Sequence, residues 1–233
     1  DTGPWQEWLD ADNKVACLLG GDTKSFAYTD QDMHALAAHL DQWAAQSSAP
    51  VLIVTSRRTG RLAKTLVEAM TQPVLTYRWQ ADDPTNPYTL ALAKAQALVV
   101  TGESESILAD ATAAGKPFAV FWPDRPPKRW FDRVSLWVAE RATRPRYNRR
   151  GSIRPQQGLQ YLCARALERH WVLPPRNLVA LHQWLYDHGL AVPLDASWPD
   201  QHHTTGMAID VYIDRIVARL SLNQIPTSPT PED

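Results

Sequence analysis

An α/β fold, with a Rossmann-like parallel sheet of about five strands and helices on both faces, is the architecture this sequence predicts. Two observations carry it. Five short apolar runs between residues 15 and 121 are nearly continuous, as strands buried on both faces must be, and stretches with the helical spacing of apolar residues separate them.

The elements follow in order. Val15-Ala16-Cys17-Leu18-Leu19 is the first strand and ends in Gly20-Gly21. Asp30 to Ala45 carries Met33, Leu36, Ala37, Leu40 and Trp43 at helical spacing, with Asp30 placed as its N-cap. Val51-Leu52-Ile53-Val54 is a second buried strand, Arg61 to Met70 a second helix, and Val74-Leu75-Thr76-Tyr77 a third strand. Pro87 to Ala95 is a short helix with proline in its first turn. Ala97-Leu98-Val99-Val100 leads into a fourth helix, Ser104 to Ala114, closed by Gly115, and Phe118-Ala119-Val120-Phe121 is the fifth strand. Beyond residue 122 the prolines 123, 126 and 127 break the pattern. Helices are then expected at Trp130–Ala142, Gln157–His170, Leu178–His188 and Met207–Leu220. The division expected is a linker over 1–14, a Rossmann-like domain over 15–122, a helical C-terminal extension over 123–220 and a flexible tail over 221–233.

Composition narrows the class. The 233 residues can bury a real core, and 44% apolar with 21% charged residues is ordinary for a globular protein. Of ten tryptophans, Trp122, Trp130, Trp137, Trp171, Trp184 and Trp198 follow residue 121, so the C-terminal part is expected to have its own aromatic packing. Cys17 and Cys163 sit in apolar runs and read as buried thiols of a reducing, cytoplasmic compartment. A net charge of -1 makes no case for nucleic acid. No apolar run approaches the roughly 18 to 20 residues that span a bilayer. The chain does not begin with Met, and Asp1–Asp12 resembles an interdomain linker, so an upstream domain is expected.

In an open α/β sheet the ligand lies at the carboxyl ends of the strands, where loops and helix N-termini converge and favour anions. Three loops there qualify. Gly20-Gly21-Asp22-Thr23-Lys24-Ser25 offers close backbone approach, two hydroxyls and a cation. Thr55-Ser56-Arg57-Arg58-Thr59-Gly60 sets two guanidiniums beside hydroxyl donors. Thr101-Gly102-Glu103-Ser104-Glu105-Ser106 leads into a helix carrying Asp110. The candidate phosphate-binding residues are therefore Gly20, Gly21, Thr23, Lys24, Ser56, Arg57, Arg58, Ser104 and Ser106. Each also has a plain structural explanation: a tight turn at Gly20-Gly21, a solvated arginine pair, an N-cap at Ser104, an exposed acid at Asp110.

Other sites are missing. No Gly-x-Gly-x-x-Gly follows the first strand, and no Walker loop exists; Gly115-Lys116 precedes a strand. Asp10-Ala11-Asp12 precedes a strand where a metal-dependent sugar transferase has its acidic pair after one. His202-His203 with Asp200 lacks further ligands at suitable spacing, so no metal site is expected.

The same segments carry a family resemblance. Gly20-Gly21, Thr55-Ser56-Arg57-Arg58-Thr59, Asn86-Pro87-Tyr88, Val100 to Ser106, Asp110-Ala111, Gly115-Lys116-Pro117, Asn148 to Gly151 and Arg154 to Gly158 follow in order. From about residue 15 to 190 the chain resembles the mitochondrial fission ("elongated mitochondria") proteins. The resemblance implies a GT-B-like architecture, two Rossmann-like domains facing a cleft, with this chain the C-terminal, nucleotide-binding half. By analogy with sugar transferases of that shape, Gly21, Thr23, Arg57 and Ser104 would meet the donor diphosphate and Asp110 the ribose. The substrate would be a nucleotide-diphosphate sugar, with no further cofactor. The family more often has Glu where this chain has Asp110 and Asp where it has Glu103, which keeps charge and alters reach.

Residues 124–154 hold ten Lys and Arg against three acids, a net +7. Such asymmetry, interleaved with Trp130, Phe131 and Trp137, points to an anionic partner such as the inner face of a membrane or a lipid-linked acceptor. The alternative is that these arginines pair with acids of the α/β domain.

Overall fold

The computed structural model describes residues 3–47, 49–123, 125, 129–174 and 176–194. Six strands, β1 (Val15–Leu19), β2 (Val51–Thr55), β3 (Val74–Tyr77), β4 (Ala97–Thr101), β5 (Phe118–Phe121) and β6 (Val192–Pro193), form one sheet in the order β3-β2-β1-β4-β5-β6. Every pairing is parallel, with Val15 opposite both Val51 and Ala97. The helices are α1 (Gln6–Asp10), α2 (Asp30–Ser47), α3 (Leu62–Ala69), α4 (Tyr88–Lys94), α5 (Glu105–Ala113), α6 (Trp130–Thr143), α7 (Leu159–Glu168) and α8 (Leu178–Asp187).

The continuous apolarity of the strands has a simple cause. Successive side chains alternate between faces, and both faces are covered. Val15, Cys17 and Leu19 of β1 pack with Met33, Leu36 and Leu40 of α2 and Leu62 and Leu66 of α3. Ala16 and Leu18 face the other way, toward Ala91 of α4, Ile107, Leu108 and Ala111 of α5, and Leu185 of α8. Burial pushes the Cys17 thiol up to about 12, and both cysteines are free and buried.

Two elements escaped the sequence reading. Residues 1–14 were expected as linker, yet Gln6–Asp10 is a helix preceded by a turn, and Trp5 and Trp8 are buried. Trp8 Nε1 donates to the Val15 carbonyl at 3.0 Å, anchoring this segment to β1. Five helical residues are too few to show a period. The C-terminal part was expected to be helical only, but α8 returns to the sheet and β6 extends it, with Val192 opposite Ala119. A two-residue strand containing proline gives no pattern, and an edge position tolerates that residue. The helix expected at 207–220, the tail from 221 and the His202-His203 pair lie outside the described residues.

Candidate functional site

The chain order of the strands, outward from β1 to β3 and then back across to β4, puts a topological switch point between β1 and β4. The three loops named from the sequence meet at that edge.

The Gly20-Gly21 turn has to be glycine. A Cβ on Gly20 would lie 1.7 Å from Glu103 Oε1, and one on Gly21 would lie 2.1 Å from the Arg58 carbonyl oxygen. Backbone approach is indeed close, but the amides face the protein. Gly20 N donates to Thr101 Oγ1 and Gly21 N to Glu103 Oε1, each at 2.8 Å. Tyr28 Oη donates to the other Glu103 oxygen at 2.7 Å. Glu103 is thus a buried carboxyl group held by the glycine turn. Burial pushes its carboxyl above the ordinary glutamate range, against the hydrogen bonds from Tyr28 and Gly21, which lower it. Burial, then the Glu103 charge, raises the Tyr28 phenol well above its usual value. Thr23 closes a local turn, its Oγ1 accepting from Phe26 N at 3.0 Å. Lys24 is exposed.

The second loop is a tight turn after β2. Ser56 N donates to Leu19 O at 3.0 Å, and Thr59 Oγ1 donates toward the Leu19 and Gly20 carbonyls. Ser56 Oγ accepts from Arg58 N at 3.2 Å. Thr55 Oγ1 accepts from Trp79 N at 2.8 Å and fixes the chain leaving β3. The hydroxyls therefore hold the loop, and the Arg57 and Arg58 side chains are exposed, with no ion pair among the described residues.

The third loop opens α5. Ser104 occupies the N-cap position but makes no side-chain cap hydrogen bond, although it is buried. The first-turn amides of α5 thus lack the usual cap. Ser106 is exposed on the first turn, and Asp110 is exposed a turn further on. Tyr88 Oη donates to Asp110 Oδ2 at 2.7 Å; burial and then this carboxylate raise the Tyr88 phenol.

One position sequence reasoning missed is His182 of α8. Its Nε2 donates to the Gly102 carbonyl at 2.8 Å, and its ring fills the space a Gly102 side chain would need. Burial lowers its pKa, with the Gly102 contact opposing. A lone histidine on an apolar helix face carries no pattern that could have marked it.

These loops border a cleft of about 530 Å³, within the usual size of a small-molecule site. Ser56, Arg57 and Ser104 line it, with Thr55, the apolar Leu18, Leu19, Val54 and Ile107, and Trp79, Asn86, Tyr88 and Thr89. The other candidates, Gly20, Gly21, Thr23, Lys24, Arg58, Ser106 and Asp110, do not line it. Asp110 stays connected through Tyr88. The ten tryptophans were a compositional hint that one could be a ligand wall, but nothing singled out Trp79. Among the described residues no group of three or more His, Cys, Asp and Glu could hold a metal, and no helix is long and apolar enough to cross a membrane.

A six-stranded parallel sheet of this order, with a cleft at its switch point, defines a Rossmann-like α/β protein. Within that class the chain belongs to the mitochondrial fission ELM1 family, whose family model matches residues 4–171. It is also similar to the uncharacterized protein RP120 of Rickettsia prowazekii (strain Madrid E), with 29% identity over 111 residues. That match covers 47% of this chain and 31% of the relative's length.

Proposed function

We propose that the strand-end cleft binds a nucleotide diphosphate, the donor portion of a nucleotide sugar, as one half of a metal-independent GT-B-like glycosyltransferase. The observation that carries this reading is the convergence of Ser56, Arg57 and Ser104, from two separate loops, on one cavity walled by Trp79 and Tyr88. Arg57 offers a planar guanidinium for bidentate contact with phosphate. The uncapped N-terminus of α5 adds amides and the positive end of its dipole. Trp79, 39% exposed, offers an aromatic face for a base. Cationic side chains and helix dipoles can stabilise a departing diphosphate. The base that would activate an acceptor belongs, on this reading, to a facing domain, so the chain alone binds without turnover.

The Gly20 and Gly21 amides take no part in this version, since Thr101 and Glu103 occupy them. Thermal shift of the chain against UDP, GDP, ADP and CMP is the test. A micromolar ligand at millimolar concentration raises stability by about 4 kcal/mol, and Arg57→Ala should remove most of that shift. No shift with any of them, for a protein that includes a facing domain, removes the transferase reading. A second reading, a non-catalytic GT-B-like binding or scaffold protein at a membrane surface, is favoured by the outward aromatic and basic face of α6.

A further inference from the structure

The pair α6–α7 is packed inside out. The two helices lie against each other, and among the described residues neither contributes to the two sheet cores. Asp132, Ser135, Ala142, Gln160 and Cys163 are buried between them. Trp130, in contrast, is 71% exposed and Leu162 63%. On α6 the spacing of Trp130, Val134, Trp137 and Arg141 places all four on one outward stripe.

Among the described residues the arginines beside this stripe find no acidic partner. From Arg129 to Arg154 none makes an ion pair among the described residues. Arg125, just upstream, does pair with Asp32 of the α/β domain. Three of the unpaired guanidiniums converge where α6 ends and α7 begins. There Arg141, Arg144 and Arg146, with Gln157, Leu159 and Gln160, line a cleft of about 410 Å³ to which no carboxylate among the described residues contributes. The carbonyls that end α6 would ordinarily attract basic side chains, but Gln156 Nε2 already donates to Ala142 O at 2.8 Å and Gln160 Nε2 to Arg144 O at 2.6 Å. Leu159 and Gln160 belong to the first turn of α7, whose free amides and dipole add positive potential.

We propose that this cleft holds the phosphate of an anionic phospholipid, with Trp130, Val134 and Trp137 seated in the bilayer interface beside it. A planar guanidinium cluster suits a phosphate diester. Arg141 belongs both to the cleft and to the apolar stripe, so headgroup and interface contacts run together. A soluble phosphate would leave the stripe uncovered. Tryptophan on the apolar side and arginine along the flank is the composition of an interfacial helix. This inference gives the membrane-surface reading its partner and does not depend on the nucleotide reading, whose thermal shift reports on a different cleft.

The test is sedimentation of the 233-residue chain with vesicles of phosphatidylcholine alone, and of phosphatidylcholine and phosphatidylglycerol in equal parts. The chain should pellet with the second only, with a blue shift of tryptophan emission that the Trp130→Ala/Trp137→Ala variant loses. Arg144→Ala/Arg146→Ala should weaken binding at least about tenfold more than Arg149→Ala/Arg150→Ala, which removes equal charge outside the cleft. All six side chains are exposed, and an unchanged melting temperature checks that the variants fold. Equal losses in the two arginine variants, or equal binding to both vesicle types, overturn the proposal. So does binding to neither. Inorganic phosphate is the third arm: stabilisation through Arg144 and Arg146 without vesicle binding would assign the cleft to a soluble phosphate instead.

Discussion

The α/β unit and the α6–α7 pair treat the same residue types in opposite ways. Around the sheet, leucine, valine and tyrosine are buried, and the buried polar groups Thr59, Thr101 and Glu103 are hydrogen-bonded within the protein. In the helix pair the polar groups are inside, with Asp132 Oδ2 and Gln160 Oε1 lacking partners, and the large apolar groups are outside. The first region buries its large apolar groups, although Thr76 Oγ1, Trp122 Nε1 and His182 Nδ1 also lack partners there. The second stays together by helix contact and, among the described residues, turns an aromatic and cationic surface outward. The proposed membrane contact would give that outward face its use.

This difference can be broken by mutation. Leu36→Ala, in the fully buried face of α2, should cost about 2–5 kcal/mol, whereas Trp137→Ala should stay within about 0.5 kcal/mol. Chemical denaturation of both variants checks this, and comparable losses would mean that α6 is part of the core after all. Next in size is Gly21→Ala. Its Cβ would meet a backbone carbonyl, which cannot swing aside, so a loss of about 1–3 kcal/mol is expected. The same change at Gly151, where a Cβ meets nothing within 4 Å but φ is +78°, tests strain without a clash and should cost less.

A smaller effect sharpens the electrostatic side. Glu103 has its folded pKa raised by burial. The protonated form is thus favoured in the folded state, and the stability it contributes is present below the ordinary glutamate range and is lost as pH rises through the folded value. Glu103→Gln removes that loss. The difference in melting temperature, variant minus wild type, should therefore grow as pH is raised from below 4 toward neutrality, with pKa values near 4.3 as the starting point. A difference that is flat with pH would show that Glu103 does not titrate in this window.

Much of the fold was legible because parallel strands buried on both faces announce themselves. Five strands and the helices between them lie within a residue or two of where the apolar runs placed them. What stayed hidden depended on partners far away in sequence. Glu103 reads as an ordinary acid at a helix start until Gly21, more than eighty positions earlier, is seen donating to it. His182 likewise means nothing until Gly102 lies beneath its ring. The loops were visible through their glycines and hydroxyls, but their direction was not. Ser56, Arg57 and Ser104 line one cleft, while the glycine amides, the most suggestive feature of the sequence, are occupied by the protein's own side chains.

The most direct test of the proposed ligand site is amide and indole chemical-shift mapping of the chain titrated with a nucleoside diphosphate. Ser56, Arg57, the α5 first turn from Ser104 to Ile107 and the Trp79 indole should move together, while Gly20 and Gly21 barely shift. Perturbations centred on Gly20 and Gly21, or confined to residues away from the cleft, would contradict it.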